Sequence, residues 1–427
     1  MKKIKKMVNE AYLKRIFQAY YKEKEKEFPF VNLFDHREFG FIPWEKQIMI
    51  RHMAFKSPED LLKYIIENGP KHVYSSGSLY LQPDNSEMSK KQYLGCDLIV
   101  DIDVDHFYTP CKDDHEIWIC KECGANGYGI QKKCPKCSNT KFKIINWICE
   151  KCLAAAKNEI IKLIYSFLIP DFGIKEKQLK INFSGHRGYH VKVEGERIRT
   201  LSSEGRRELA DYLSGKSVSL GILGLNEIRS TIYSFTKDNI GWAQKIINKI
   251  EEILQNCSYT GLIVKLQNYG LSENRVKSFM NYKDDFLNNL LNKKNIWSIE
   301  GFGLKTWQIF LNGIISEIGI EIDEPVTIDI HRLIRYPGSL HGKTGFKVQE
   351  LDLGELTDFN PLNENNEKID PIVFYSKNLL KLRVTEPIIP PTQIKNETYG
   401  PYKQDEIIEV PHHIAVFLLC KEVAELI

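Results

Sequence analysis

Two aspartates separated by a single residue, Asp101 and Asp103, stand in the apolar run LIVDIDV. If that run is a strand, alternate side chains share a face. Both carboxylates then point the same way, about 6–7 Å apart, while Val100, Ile102 and Val104 point to the buried side. Two anions beside apolar neighbours are costly unless a cation is shared, and ligation by oxygen alone suits Mg²⁺ or Mn²⁺. The plain alternative is a strand end standing in solvent. Asp329 in VTIDI, read as a similar strand, favours metal, because two-metal phosphoryl transfer gathers several carboxylates at one centre.

Two further stretches concentrate groups that suit phosphate. SGHRGYH holds Ser184, Arg187 and His190 around glycines that permit a tight turn between two strand-like runs. RLIRYPGSLHGKTG gathers Arg335, Ser339, His341 and Lys343 around a Pro-Gly turn, with no GxxxxGK[ST] pattern. Hydroxyl, guanidinium, imidazole and ammonium groups together suit a triphosphate held beside metals. On spacing alone a lone basic turn such as the first is usually a solvated hairpin, and the second could equally be a surface turn with ordinary charges.

Cys120, Cys123, Cys134 and Cys137 give Cys-x2-Cys-x10-Cys-x2-Cys, the spacing of a closed four-thiolate zinc ribbon. Cys111 and His115 lie before it, and Cys149 and Cys152 after it. They read as a second tetrahedral zinc site with the ribbon inserted in its long loop; the alternative is one zinc and free thiols. The structural Zn²⁺ count is therefore one or two.

The elements that must position these groups are legible in outline. Tyr12, Leu13, Ile16, Phe17 and Tyr20 recur at helical spacing in the basic stretch that opens with Met1, and packing onto the chain's own core is expected. Ser57 or Pro58 starts a second helix that Gly69 ends. Residues 71 to 104 read as short strands, 201 to 320 as a helical insertion, and 321 onward as strand and turn followed by a loop and a closing helix. An α+β fold follows, with core segments 1–200 and 321–427 and a zinc-binding module at 106–152. Charge is nearly balanced, 59 basic against 56 acidic residues in 427, so any nucleic-acid contact must use local basic patches. No run of eighteen apolar residues occurs, and paired cysteines without a signal segment suggest a reducing, cytoplasmic (intracellular) setting.

Taken together, HREFGF, YSSGSLY, LIVDIDVDHF, the Cys/His cluster, SGHRGYHVKV, VTIDIHRLIRYPGSLHGKTG and EVPHHIAVFLLCKEVAEL resemble the small, catalytic subunit of archaeal and eukaryotic DNA primases, and the archaeal form more closely. The resemblance implies a primase-type core of mixed β-sheets flanked by helices that makes primers de novo by two-metal nucleotidyl transfer. It implies Asp101, Asp103 and Asp329 as the carboxylates for Mg²⁺ or Mn²⁺, and Ser184, Arg187, His190, His341 and Lys343 on the triphosphate. Glu38 and Arg51 match positions that engage the initiating nucleotides, and Cys111, His115, Cys149 and Cys152 match the zinc knuckle. The implied partners are a primase large subunit in a heterodimer, a single-stranded DNA template, and NTPs or dNTPs. The ribbon is absent from the eukaryotic pattern. A related repair polymerase and a non-catalytic zinc-ribbon nucleic-acid binder are the competing classes.

Overall fold

The computed structural model describes residues 2–46, 48–376 and 378–427, with side chains from residue 5 onward; Met1, where the first helix was expected to open, lies outside them. The chain divides into two compact units, Met1–Arg206 with Ile322–Ile427, and Arg207–Glu321.

The first unit is mixed α and β. Its helices include α1 (Lys2–Glu23), α2 (Pro58–Asn68), α3 (Glu150–Leu163) and α4 (His412–Cys420). Its two four-stranded sheets use, in chain order, β1 (Phe39–Ile42), β2 (Ile50–Met53), β3 (His72–Ser76), β4 (Leu98–Asp103), β5 (Leu179–Phe183), β6 (Gly188–Val193), β7 (Leu333–Arg335) and β8 (Gln349–Leu351). The first sheet runs β7-β3-β1-β2 and the second β8-β5-β6-β4, with antiparallel neighbours throughout.

Local chemistry explains the helices. In α2, Ser57 accepts a hydrogen bond from the Asp60 amide, Pro58 occupies the first turn and Gly69 closes the helix in the left-handed conformation. In α1, Leu13, Phe17, Tyr20 and Tyr21 are buried, and Phe17 meets Trp44 with ring centroids 5.1 Å apart. The basic helix thus covers the core of its own unit. Tyr12 and Ile16 sit at the margin of that seam.

Two expectations need correction. Asp329 does not stand in a strand: Pro325 opens a short helix, Glu324–Ile328, and Asp329 caps its end. A proline fits a first helical turn, where its missing amide is not needed. Beyond residue 370, the expected loop and closing helix also contain a three-stranded sheet, Ile407–Pro411, Leu379–Val384 and Ala424–Leu426. Strands this short alternate too briefly to be read alone, and they are fixed by distant partners.

The second unit is largely helical. Helices Trp242–Asn256, Tyr259–Asn268, Glu273–Asn281, Lys283–Leu291 and Leu304–Ile318 close over an aromatic centre. There Trp307 lies 5.1 Å from both Phe286 and Trp297. Among the described residues no helix is long and apolar enough to cross a membrane.

Candidate active site

The β4–β6 ladder pairs the two chemically loaded runs. Asp101 faces His190 and Asp103 faces Gly188 across the antiparallel pair. A Cβ at position 188 would sit 2.2 Å from the Ile102 carbonyl oxygen, so only glycine lets the strands close here. The β5–β6 turn is organised by Ser184, whose hydroxyl accepts from the amides of His186 and Gly188.

Asp101, His190, Asp329, Arg332, Arg335, Tyr74 and Arg51 line one cavity of about 320 Å³. One contact joins β4 to the segment that leads to Asp329, and a second orients the Asp329 carboxylate. The Asp323 amide donates to the Asp101 carbonyl at 2.9 Å, and the Asp329 carboxylate accepts from the His331 amide at 2.8 Å. Asp103 does not line the cavity. Among the described residues, the ligand atoms of Asp101, Asp103 and Asp329 do not all fall within 4.8 Å of one another, whereas those of Asp103, Asp105 and His186 do.

These carboxylates suit a hard cation. Asp101 Oδ1 is buried and accepts no hydrogen bond, although His190 Nε2 lies 3.2 Å away. Burial and nearby Asp323 push the Asp101 carboxyl up to about 7, and burial with Asp105 raises Asp103. A carboxylate whose charge is disfavoured in this way is relieved by a divalent ion. His190 is driven down to about 3 by burial and Arg335, so it stands neutral.

The two phosphate-like turns dock on each other. Thr344 donates its hydroxyl to the Gly185 carbonyl at 2.6 Å, and a Cβ on Gly185 would lie 2.8 Å from that of His341. His186 stacks on His341 with centroids 5.0 Å apart. Arg187 is fully buried; it donates to Glu116, while Nε and Nη2 make no hydrogen bond. Lys343 is exposed at the rim. Ser339 is buried and donates to the Tyr336 carbonyl at 2.6 Å, within its own turn. Arg335 donates to His72 Nδ1 at 2.8 Å and to the Tyr74 hydroxyl.

Glu38 is also fully buried. It accepts from Arg51 Nε at 2.9 Å and from the His52 amide, and it does not line the cavity. Only Arg51 of that pair faces the cavity.

Sequence reasoning missed Lys421. Its Nζ meets the Asn146 carbonyl at 2.6 Å and His186 Nε2 at 3.0 Å. Burial, then Arg187 and Lys343, bring it down to about 7. Arg187, Lys343 and Lys421 thus converge on neutral histidines, while Glu116 and Asp105 are taken up by Arg187. Such a gathering of cations suits an anion. No local signal marks Lys421, which follows an apolar helix 235 residues after His186.

The cysteines gather as two separate sets. Cys111, His115, Cys149 and Cys152 place their ligand atoms within 4.8 Å of one another, and Cys120, Cys123, Cys134 and Cys137 do the same. Contacts of 3.3–3.6 Å between ligand atoms approach the edge of about 3.8 Å expected for tetrahedral zinc with bonds near 2.3 Å. Both sets suit zinc.

A family model described as DNA primase small subunit matches residues 144–353. The chain is 30% identical over 431 residues to the DNA primase small subunit PriS of Methanococcoides burtonii, with 97% of each chain covered. It is 32% identical over 422 residues to that of Archaeoglobus fulgidus, covering 97% of this chain and 98% of the relative. The corresponding protein of Thermoplasma volcanium is 29% identical over 416 residues, covering 96% of each. Identity of that depth, sustained over nearly the full length of both proteins, means that this chain belongs to the DNA primase small subunit family.

Proposed function

We propose that the chain is the catalytic subunit of a DNA primase, starting short RNA or DNA primers on a single-stranded DNA template. The observation that carries the site assignment is the β4–β6 pairing, which sets Asp101 and Asp103 against the SGHRGYH turn. In the reaction a 3′-hydroxyl attacks the α-phosphate of the incoming nucleotide in line, and pyrophosphate leaves. Asp101, Asp103 and Asp329 would hold Mg²⁺ or Mn²⁺. Bound there, the ions supply charge neutralisation at the attacking and leaving oxygens.

The chain's own groups do the rest. Arg187, Lys343 and Lys421 bind the β- and γ-phosphates, with His341 and the β5–β6 turn shaping the pocket. Ser184 keeps that turn tight through its two amide contacts. Neutral His190 holds its imidazole against Asp101, and Arg335 borders the same cavity. Arg51 reaches the initiating nucleotide, and Glu38 fixes its guanidinium from below. Cys111, His115, Cys149 and Cys152 hold one structural zinc, and Cys120, Cys123, Cys134 and Cys137 another. Glu116, beside His115, anchors Arg187 and so couples the first zinc to the nucleotide pocket.

The relatives are named as small subunits, and a large subunit is the expected partner. Replication of DNA sets the working place inside the cell. The test is synthesis on an unprimed single-stranded template with labelled nucleotides and Mg²⁺ or Mn²⁺. New oligonucleotides should form with the unaltered chain and fall at least a thousandfold, about 4 kcal/mol of barrier, with Asp101→Ala/Asp103→Ala. Synthesis only from an annealed primer, even with the large subunit added, would point to a primer-extending polymerase.

A further inference from the structure

The ribbon between the two halves of the zinc knuckle has a face with no role in the site above. Its three strands, Ile117–Cys120, Asn126–Tyr128 and Phe142–Ile145, form an antiparallel sheet with the first strand in the middle. The register sorts its side chains. Trp118 pairs with Gly127 and Ile144, and Cys120 with Phe142, so these share one face. Trp118 and Phe142 close that face with centroids 5.7 Å apart, and a Cβ on Gly127 would press on the indole.

The opposite face is different. Ile117 pairs with Tyr128 and Ile145, and Ile119 with Asn126 and Lys143. Beyond the strand end, the Lys121 amide donates to the Lys141 carbonyl, which sets those two residues side by side. Along this face Tyr128 stands at the Ile117 end, Asn126 and Lys143 flank Ile119, and Lys121 and Lys141 lie at the far end, all five exposed. Lys143 pairs with Glu386 at 2.7 Å; among the described residues Lys121 and Lys141 have no ion pair. Adjacent like charges across a sheet are destabilising unless an anion covers them. Residues 117–145 hold six lysines and one acidic residue, Glu122, a formal +5 before metal and thiolates, in a chain whose total is +3.

We infer that this ribbon face binds the single-stranded template, with Lys121 and Lys141 on its phosphates and Tyr128 stacked under a base. Cations that follow a backbone, joined to an aromatic ring on an open sheet, form a sequence-tolerant single-strand platform. The identity of the occupant rests on the template-directed reading above; oligonucleotide binding needs no catalysis, so failure of one is separable from failure of the other.

The experiment measures binding of a fluorescently labelled oligo-dT to the full-length chain by anisotropy across a salt series, with zinc content recorded for every variant. Lys121→Gln/Lys141→Gln should reduce the slope of log affinity against log salt by about 1.4, at about 0.7 for each phosphate no longer neutralised. Lys121→Arg/Lys141→Arg should keep the slope. Tyr128→Ala should weaken binding about fivefold or more. If the glutamine pair loses zinc, Lys141→Gln alone, with zinc retained, should lower the slope by about 0.7. Unchanged slope and affinity in zinc-replete variants would overturn the inference. So would loss of large-subunit binding with oligo-dT affinity intact, which would reassign the face to a protein partner.

Discussion

Lys421 is a cation set among cations, and that is what makes it testable. Its folded-state value near 7 means that it is charged below neutrality and increasingly neutral above it. On the proposed function a triphosphate would bind the charged form, so nucleotide KM should rise as pH climbs through about 7. Lys421→Arg, charged at every accessible pH, should flatten that rise. Lys421→Ala should raise nucleotide KM about tenfold or more, the worth of a charge-assisted hydrogen bond, as read by steady-state primer synthesis. Individual residues were unevenly legible. The alternation around Asp101 and Asp103 announced a shared face, because a strand's period is local. Lys421 and Glu116 carried no signal, because their partners lie far along the chain. The chemistry of Ser339 was legible, whereas the engagement of its hydroxyl by the Tyr336 carbonyl was not. Glu38 matched a motif, and its burial and its bond to Arg51 emerge only in the fold.

At the scale of elements, the zinc knuckle and the β5–β6 turn are mechanically joined. Cys149 caps α3, accepting from the Cys152 amide at 3.3 Å, and His115 precedes Glu116, which holds Arg187. Cys149→Ser should therefore lower zinc content and raise nucleotide KM together, although the sulfur touches no substrate. Metal analysis beside steady-state kinetics checks the pairing; a variant that loses zinc with KM unchanged would break the link. Elements defined by local chemistry were readable: the Ser57–Gly69 helix by its caps, the knuckle and ribbon by cysteine spacing, and the β5–β6 hairpin by its glycines. Elements defined by distant pairing were not. The strands at Leu379–Val384 and Ala424–Leu426 find each other only in the folded unit. Pro325 turned an expected strand at Asp329 into a helix end.

For the molecule as a whole, the interruption at 207–321 is a unit with its own core. Polar composition suggested its helices, yet Phe279, Phe286, Trp297 and Trp307 form its centre. Trp307→Ala should destabilise this unit by about 3–5 kcal/mol, measured by chemical denaturation followed through fluorescence at other tryptophans. The zinc content of the other unit should stay unchanged. That other unit draws its sheets from both sides of the interruption: β3 takes β7 as its neighbour, and β5 takes β8. Asn9 donates to the Ala424 carbonyl across 415 residues. Pairings this remote make for slow assembly and a high contact order. They also impose a schedule on translation. While the ribosome makes the insertion, the nascent chain already holds β3 and β5 with bare edges, open to mispairing. Those edges stay bare until β7 and β8 have emerged. The pocket waits longer still for Lys421, so catalytic competence should not precede the emergence of that residue.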